Sequence, residues 1–121
     1  MNYIKGEILD NVRPKLLIKG IGASRGKYRG KVYIVANKGR NSPLAEEVEV
    51  VVVPFLSPFD IFIVLHAKAL IMEHGGVTSH GAVIARELGI PCVIAENAIN
   101  LLKDGMDVFV DGDEGCIYVY Q

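Results

Sequence analysis

The feature that most constrains this chain is the run Val48-Glu49-Val50-Val51-Val52-Val53, closed by Pro54. Consecutive β-branched side chains favour extended backbone, because their χ1 freedom is already restricted and they fit a pleated surface. A strand with four valines in a row has no polar face to offer water, so it must be covered on both sides. Pro54 has no N–H for a ladder and ends it. A chain built around such a strand has to provide two covering layers.

The flanking sequence provides candidates for them. Lys31–Ala36 reads as a strand entered through a glycine-rich stretch, and Asn37–Pro43 as a loop rich in turn formers. Ser57-Pro58-Phe59-Asp60 has the form of a helix start, with Ser as N-cap, Pro in first position and an acid in third, and predicts a helix over about Pro58–Ala67. Ala69–Met72 is a second short apolar strand, left through Glu73-His74-Gly75-Gly76. Ser79–Leu88 reads as the second main helix, stopped by Gly89 and kept from resuming by Pro91. Cys92–Ala95 is a strand again, and Asn97–Leu102 a single helical turn. Asp107–Val110 and Cys116–Tyr120 pair as a hairpin across Asp111–Gly115. Residues 1–14 carry the weakest pattern, with Pro14 where a leading segment joins the body. Strands and helices alternate in the middle while the ends look like β-structure. An α/β domain with mixed sheets and two main helices fits this better than a regular doubly wound sheet.

At 121 residues this is the length of one domain, 1–121, and half the residues are hydrophobic with 22% charged, as in a packed globular unit. The net charge of −1 leaves no footprint for nucleic acid. Lys15, Lys19, Arg25, Lys27, Arg29 and Lys31 give the N-terminal third a basic cast, for which solvated strand edges are a better account than an acidic or phosphorylated partner. Cys92 and Cys116 form no Cys-x-x-Cys and have no flanking histidine, so zinc and redox motifs fail and two buried free thiols are expected; no metal site is expected. Residues 1–7 lack the apolar core of a secretory signal, and the apolar runs are far shorter than a membrane span. No membrane partner and a cytoplasmic location are the corresponding expectations.

The chemistry concentrates in residues 73–91. A buried strand ends, two glycines allow a sharp turn, and Thr78, Ser79 and His80 arrive at a helix N-terminus. The first turn of a helix has unpaired N–H groups and the positive end of the peptide dipole, which together attract an anion. A histidine placed there gains a field that favours the neutral, nucleophilic ring and that stabilises negative charge once a phosphoryl group is attached. Thr78 and Ser79 offer hydroxyls to phosphoryl oxygens or to the helix cap, Gly75 and Gly76 free the backbone, and Gly81 leaves room beside the ring. A capping or hydrogen-bonding histidine is the simpler reading of the same pattern.

The run Gly75-Gly76-Val77-Thr78-Ser79-His80-Gly81-Ala82-Val83-Ile84-Ala85-Arg86-Glu87-Leu88-Gly89-Ile90-Pro91 closely resembles the swivelling phosphohistidine domain of phosphoenolpyruvate-utilising enzymes, the family of phosphoenolpyruvate synthase, pyruvate phosphate dikinase and enzyme I of the sugar phosphotransferase system. It matches the motif G-G-x-T-[SC]-H-x-A-[IV]-x-A-R-x-x-G-x-P at every fixed position. Gly22–Val32 resembles the family's glycine-rich entry strand, with Arg25 where the family has proline. Asn97–Gly105, Val110–Gly112 and Gly115–Tyr118 resemble its C-terminal end. The likeness covers about Gly20–Gln121.

The resemblance implies a swivelling β/β/α phosphohistidine fold. It implies that His80 is transiently phosphorylated, and that Thr78 matches a threonine modified by regulatory kinases in some members. It implies a phosphoryl carrier, a phosphotransferase component incomplete by itself and free-standing here. It implies that the chain binds no cofactor of its own. Mg-ATP or phosphoenolpyruvate would sit on partners, a nucleotide-binding ATP-grasp-like domain or a phosphoenolpyruvate/pyruvate barrel. A docking or regulatory module that kept the fold without the chemistry is the alternative, and a domain cut from a longer polypeptide is a third possibility.

Other features carry less. Arg86 lies 240° around the helix from His80 at 100° per residue, which reads as a structural contact rather than a phosphate clamp. His66 falls near a helix end and reads as structural; His74, beside the glycine pair, is within reach of the phosphoryl group, but a structural role is the better account. Gly22–Tyr28 has one spacer too few for a P-loop and no Ser/Thr after its lysine. Asp111-Gly112-Asp113-Glu114 is better explained by a hairpin turn than by a calcium loop.

Overall fold

The computed structural model describes residues 13–37 and 48–120. Its strands are β1 (Pro14–Lys19), β2 (Ile21–Ser24), β3 (Lys27–Ile34), β4 (Val50–Val53), β5 (Ala69–Met72), β6 (Cys92–Ile94), β7 (Asp107–Asp111) and β8 (Cys116–Tyr120). Its α-helices are α1 (Ile61–Leu65), α2 (His80–Leu88) and α3 (Ala98–Leu101), with 3-10 turns at Val35–Asn37 and Pro58–Asp60. The strand order is β1-β8-β7-β3-β4-β5-β6-β2.

β3 joins two regimes. Its residues Lys27–Lys31 pair antiparallel with β7, while Val32–Ile34 pair parallel with β4. β4, β5 and β6 are parallel to one another, and every residue in them is buried. The valine run is therefore the sheet centre that its composition demands.

Its two faces go to two separate cores. Val50, Val52, Ala69, Ile71 and Val93 face Ile18, Val108, Val110, Ile117 and Val119 from the antiparallel strands. Val51, Val53, Leu70, Met72 and Cys92 face Val64 after α1 begins and Ala82 and Ala85 of α2. The layers are thus sheet, sheet and helix, the β/β/α arrangement.

The strands at the two ends of this order are consecutive in the chain. Only Gly20 separates β1 from β2, and its N–H donates to Gly115 O at 2.7 Å, in the β7–β8 turn. A β-carbon on Gly112 would collide with Ser24 O, and one on Gly22 with Gly112 O. Glycine is required at this seam because backbone meets backbone.

Several expectations need correction. β1 and β2 were not legible as strands, and β3 begins four residues before the predicted Lys31 and ends at Ile34 rather than Ala36. β1, Pro14-Lys15-Leu16-Leu17-Ile18-Lys19, shows no apolar–polar alternation, and in β2 the missing side chain of Gly22 serves the close seam and removes the alternation that marks a strand. The helix expected over Pro58–Ala67 is a 3-10 turn followed by the five residues of α1. Ser57 does not cap it: its Oγ donates instead to Asp60 Oδ2 at 2.8 Å. The predicted loop Asn37–Pro43, beyond Asn37, and the leading segment up to residue 12 lie outside the described residues.

Candidate functional site

The parallel strands deliver their C-terminal ends to one edge, where loops from neighbouring strands converge. The chain beyond β5 still follows β4: Glu73 N–H donates to Val53 O at 3.1 Å and His74 N–H to Pro54 O at 2.8 Å. Glu73 Oε2 accepts from Ile99 N–H at 3.0 Å, at the start of α3. The loop is then turned by Gly75, whose φ of +126° lies outside the comfortable range of side-chain-bearing residues. Ser79 N–H closes back on Gly76 O at 3.0 Å.

Ser79 is the N-cap of α2. Its backbone is extended, with φ −67° and ψ 159°, and its Oγ accepts from Ala82 N–H at a long 3.5 Å. His80 is the first residue of the helix and is exposed, as is Thr78. The remaining first-turn N–H groups have no acceptor within the helix. α2 ends as its sequence requires: Gly89 is left-handed at φ 72°, its N–H bonds Arg86 O, and Ile90 N–H bonds Ala85 O at 3.0 Å. Ala82 and Ala85 are buried where α2 packs on β2, β5 and β6, and they fix the helix, hence His80, against the sheet.

His80 lines a shallow hollow of about 460 Å³ together with Phe55, Leu56, Met72, His74, Gly75, Ser79 and Gly81. Of the residues singled out from sequence, Gly75, Ser79, His80 and Gly81 meet here, together with His74. Thr78 and Gly76 lie on the loop but do not line the hollow. Gly81 is placed differently from the expectation. It is buried, and a β-carbon there would meet Met72 Sδ and, at 3.3 Å, Leu56 Cβ, so its missing side chain serves helix-to-sheet packing rather than open space beside the ring. Phe55 and Leu56 were missed; the available signal was that they directly follow the valine strand, whose end must lie beside that of its parallel neighbour.

Arg86 serves the framework. Its Nη1 donates to Ala23 O of β2 at 2.7 Å, and it borders a separate cleft with Arg25 and Val77. His66 is structural as read, with Nδ1 2.8 Å from Phe62 O. Among the six basic residues of the N-terminal third, Lys27 pairs with Asp113 at 3.0 Å, Arg29 with Asp107 at 2.9 Å, and Lys19 donates to Glu114 O. The side-chain hydrogen bond and charge of Asp113 raise the Lys27 pKa. The Gly26 N–H and Lys27 hold the Asp113 carboxyl below the usual range. Asp111 Oδ1 accepts from the N–H groups of Asp113 and Glu114, which makes that segment a hairpin turn. Cys92 and Cys116 are buried free thiols, and burial pushes Cys92 up to about 12 against the opposing charge of Arg86. Among the described residues no helix is long and apolar enough to cross a membrane.

Comparison with known proteins agrees with this arrangement. Residues 45–115 match the family described as PEP-utilising enzyme, mobile domain. A probable phosphoenolpyruvate synthase of Archaeoglobus fulgidus is 37% identical over 113 residues, covering 93% of this chain and 15% of that protein. The rifampicin phosphotransferase of Bacillus subtilis is 36% identical over 118 residues, 97% of this chain and 13% of that protein. A solution structure of enzyme I superposes with a TM-score of 0.54 at 37% identity, over 62% of this chain and 32% of that one. The chain thus spans about 13–15% of the length of the curated relatives it matches.

Proposed function

The chain belongs to the family of PEP-utilising enzyme mobile domains, and on that premise we propose that it is a phosphoryl carrier, transiently phosphorylated on His80. The observation that carries this reading is the position of His80: exposed, first in α2, directly after the Ser79 cap, and within an unbroken family motif.

In this reading a lone pair of the neutral imidazole attacks phosphorus in line. A P–N bond forms as the P–O bond of the donor breaks, and the leaving group, ADP or enolpyruvate, departs with the bonding electrons. First-turn N–H groups and the helix dipole stabilise the charge that arrives. Transfer onward reverses the step toward an acceptor. The donor's nucleotide or phosphoenolpyruvate site belongs to partner domains, an ATP-grasp-like or a phosphoenolpyruvate/pyruvate barrel domain; this chain provides the moving nucleophile. Ser79 is committed to the cap, which leaves its hydroxyl hydrogen available to a phosphoryl oxygen. Thr78, exposed and two residues before His80, is the site where a second phosphate would place like charge beside the first, and this is the basis for a regulatory role.

Phosphoramidate, whose P–N bond breaks to release ammonia as the histidine P–N bond forms, tests His80 without any partner. The expected product is one added phosphoryl group by intact mass, acid-labile, alkali-stable and absent from His80→Ala. Failure of the wild-type chain to label under phosphoramidate, and with phosphoenolpyruvate or ATP plus a synthase, would shift the reading to a docking module. For Thr78, the expectation is that Thr78→Glu slows labelling at His80; unchanged labelling removes the regulatory role.

A further inference from the structure

The residues after β4 form an apolar face that the phosphocarrier chemistry does not use. Phe55, Phe59 and Phe62 are 58%, 76% and 72% exposed, and Leu65 at the end of α1 is exposed as well. At about 200 Å² for a phenylalanine, the three rings present roughly 400 Å² of apolar surface, in the range where exposed patches on a folded protein commonly mark interaction sites. Asp60 is the one charged residue from 54 to 65, and its carboxylate accepts from Ser57 Oγ. Among the other described residues the exposed large apolar ones lie on β1, β2 and α3, or on the loop and helix that carry His80.

This face is continuous with the site. Phe55 and Leu56 are at once its first members and lining residues of the hollow that His80 also lines. A body that brings a phosphoryl group onto His80 from that hollow must lie over Phe55, and one of domain size extends over the segment that follows it. A small-molecule donor would reach His80 without touching Phe59 or Phe62.

Resting on the carrier reading of His80, we infer that the Phe55–Phe62 face is the docking surface for the protein domain that donates the phosphoryl group, and that the complementary surface of that domain is apolar rather than charged. Its size suits the task. A stable complex buries about 800 Å² on each partner, roughly twice what the three rings offer, and a carrier has to release after every transfer. A second copy seated here would lie over the hollow and keep donors from His80. Covering Phe55 also removes water from the hollow that His80 lines, where hydrolysis competes with transfer.

The test uses the intact chain as acceptor, phosphoenolpyruvate as donor, and the Archaeoglobus fulgidus phosphoenolpyruvate synthase as the donor protein, with intact mass separating the 13.2 kDa chain. The Phe59→Ser/Phe62→Ser double variant, and Phe62→Ser alone to guard against a local change around Phe59, are compared with wild type and with Leu16→Ser on β1. Expected for the double variant is a KM for the chain raised at least tenfold with kcat little changed, while phosphoramidate labels its His80 at the wild-type rate. Leu16→Ser should match wild type in both. Wild-type transfer rates in the double variant, no transfer from the synthase to the wild-type chain, or a loss of self-association as the only effect in sedimentation would each overturn the docking inference. Loss of phosphoramidate labelling from the wild-type chain would instead overturn the carrier reading of His80.

Discussion

The two halves of the sheet bury the same kind of residue in different ways. In the antiparallel half, β3, β7 and β8 alternate: Val108, Val110, Ile117 and Val119 point inward, while Arg29 and Asp107 lie on the outer side and pair at 2.9 Å. The Arg29 guanidinium also stacks 3.7 Å over the Tyr120 ring. That half carries its charged side chains on its outer side and settles them there. The parallel half, β4, β5 and β6, is covered on both faces and has only strand ends to offer. Its polar and reactive groups are therefore concentrated in the loops beyond those ends, where His74, Ser79 and His80 meet. A site arises where a sheet has no other exposed part on which to vary.

The largest test of this difference is a cavity. Leu70→Ala, fully buried in the parallel half, is expected to cost about 2–5 kcal/mol. Leu16→Ala on β1, 55% exposed, should stay within about 0.5 kcal/mol. Urea unfolding with an unchanged m-value reads both, and comparable losses would break the contrast.

Next come the glycines of the seam and of the site. Gly112→Ala drives a β-carbon into Ser24 O and should cost about 1–3 kcal/mol. Gly76→Ala meets nothing within 4 Å, so its stability should change by less than about 1 kcal/mol. Any effect it has belongs in phosphoramidate labelling of His80. A Gly76→Ala that unfolds the chain would mean that the loop is part of the framework. Removing the α2 cap is smaller still: with a 3.5 Å hydrogen bond to lose, Ser79→Ala should cost about 0.5–1 kcal/mol by thermal unfolding.

The smallest effect at neutral pH concerns Cys92 on β6. Burial raises its pKa to about 12, so the folded state holds the proton more tightly than the unfolded chain does. Stability is then flat below the ordinary thiol range and falls as pH rises from there toward 12. Denaturation curves at increasing pH check the slope, and alkylation near pH 8 should modify Cys92 only after unfolding. Rapid native alkylation of Cys92 would show that the parallel half opens more readily than its packing implies.

Legibility followed the same division. The valine strand, Ala69–Met72, α2 with its Ser79 cap and Gly89 stop, and the β7–β8 hairpin could all be read, because each pairs an unbroken local pattern with a boundary residue of fixed stereochemistry. β1 and β2 could not: Pro14–Lys19 shows no alternation, and Gly22 of β2 answers to backbone that approaches from residues 112–115, about 90 positions away. Ser57-Pro58 has the grammar of a helix start, yet Asp60 competes for the serine hydroxyl and the segment tightens into a 3-10 turn.

At His80 the sequence alone determined the candidate nucleophile, its place at a helix start and the motif around it, because all of these depend on residues close together in the chain. Only the tertiary structure decided what stands beside it. Phe55 and Leu56 reach the hollow because β4 and β5 are parallel neighbours whose ends coincide, and Gly81 turns its bare side to Met72 because α2 packs on β5. Arg86 turns instead to Ala23, since β2 closes the far edge of the sheet. Contacts of this kind depend on strand order, which no stretch of a few residues can encode.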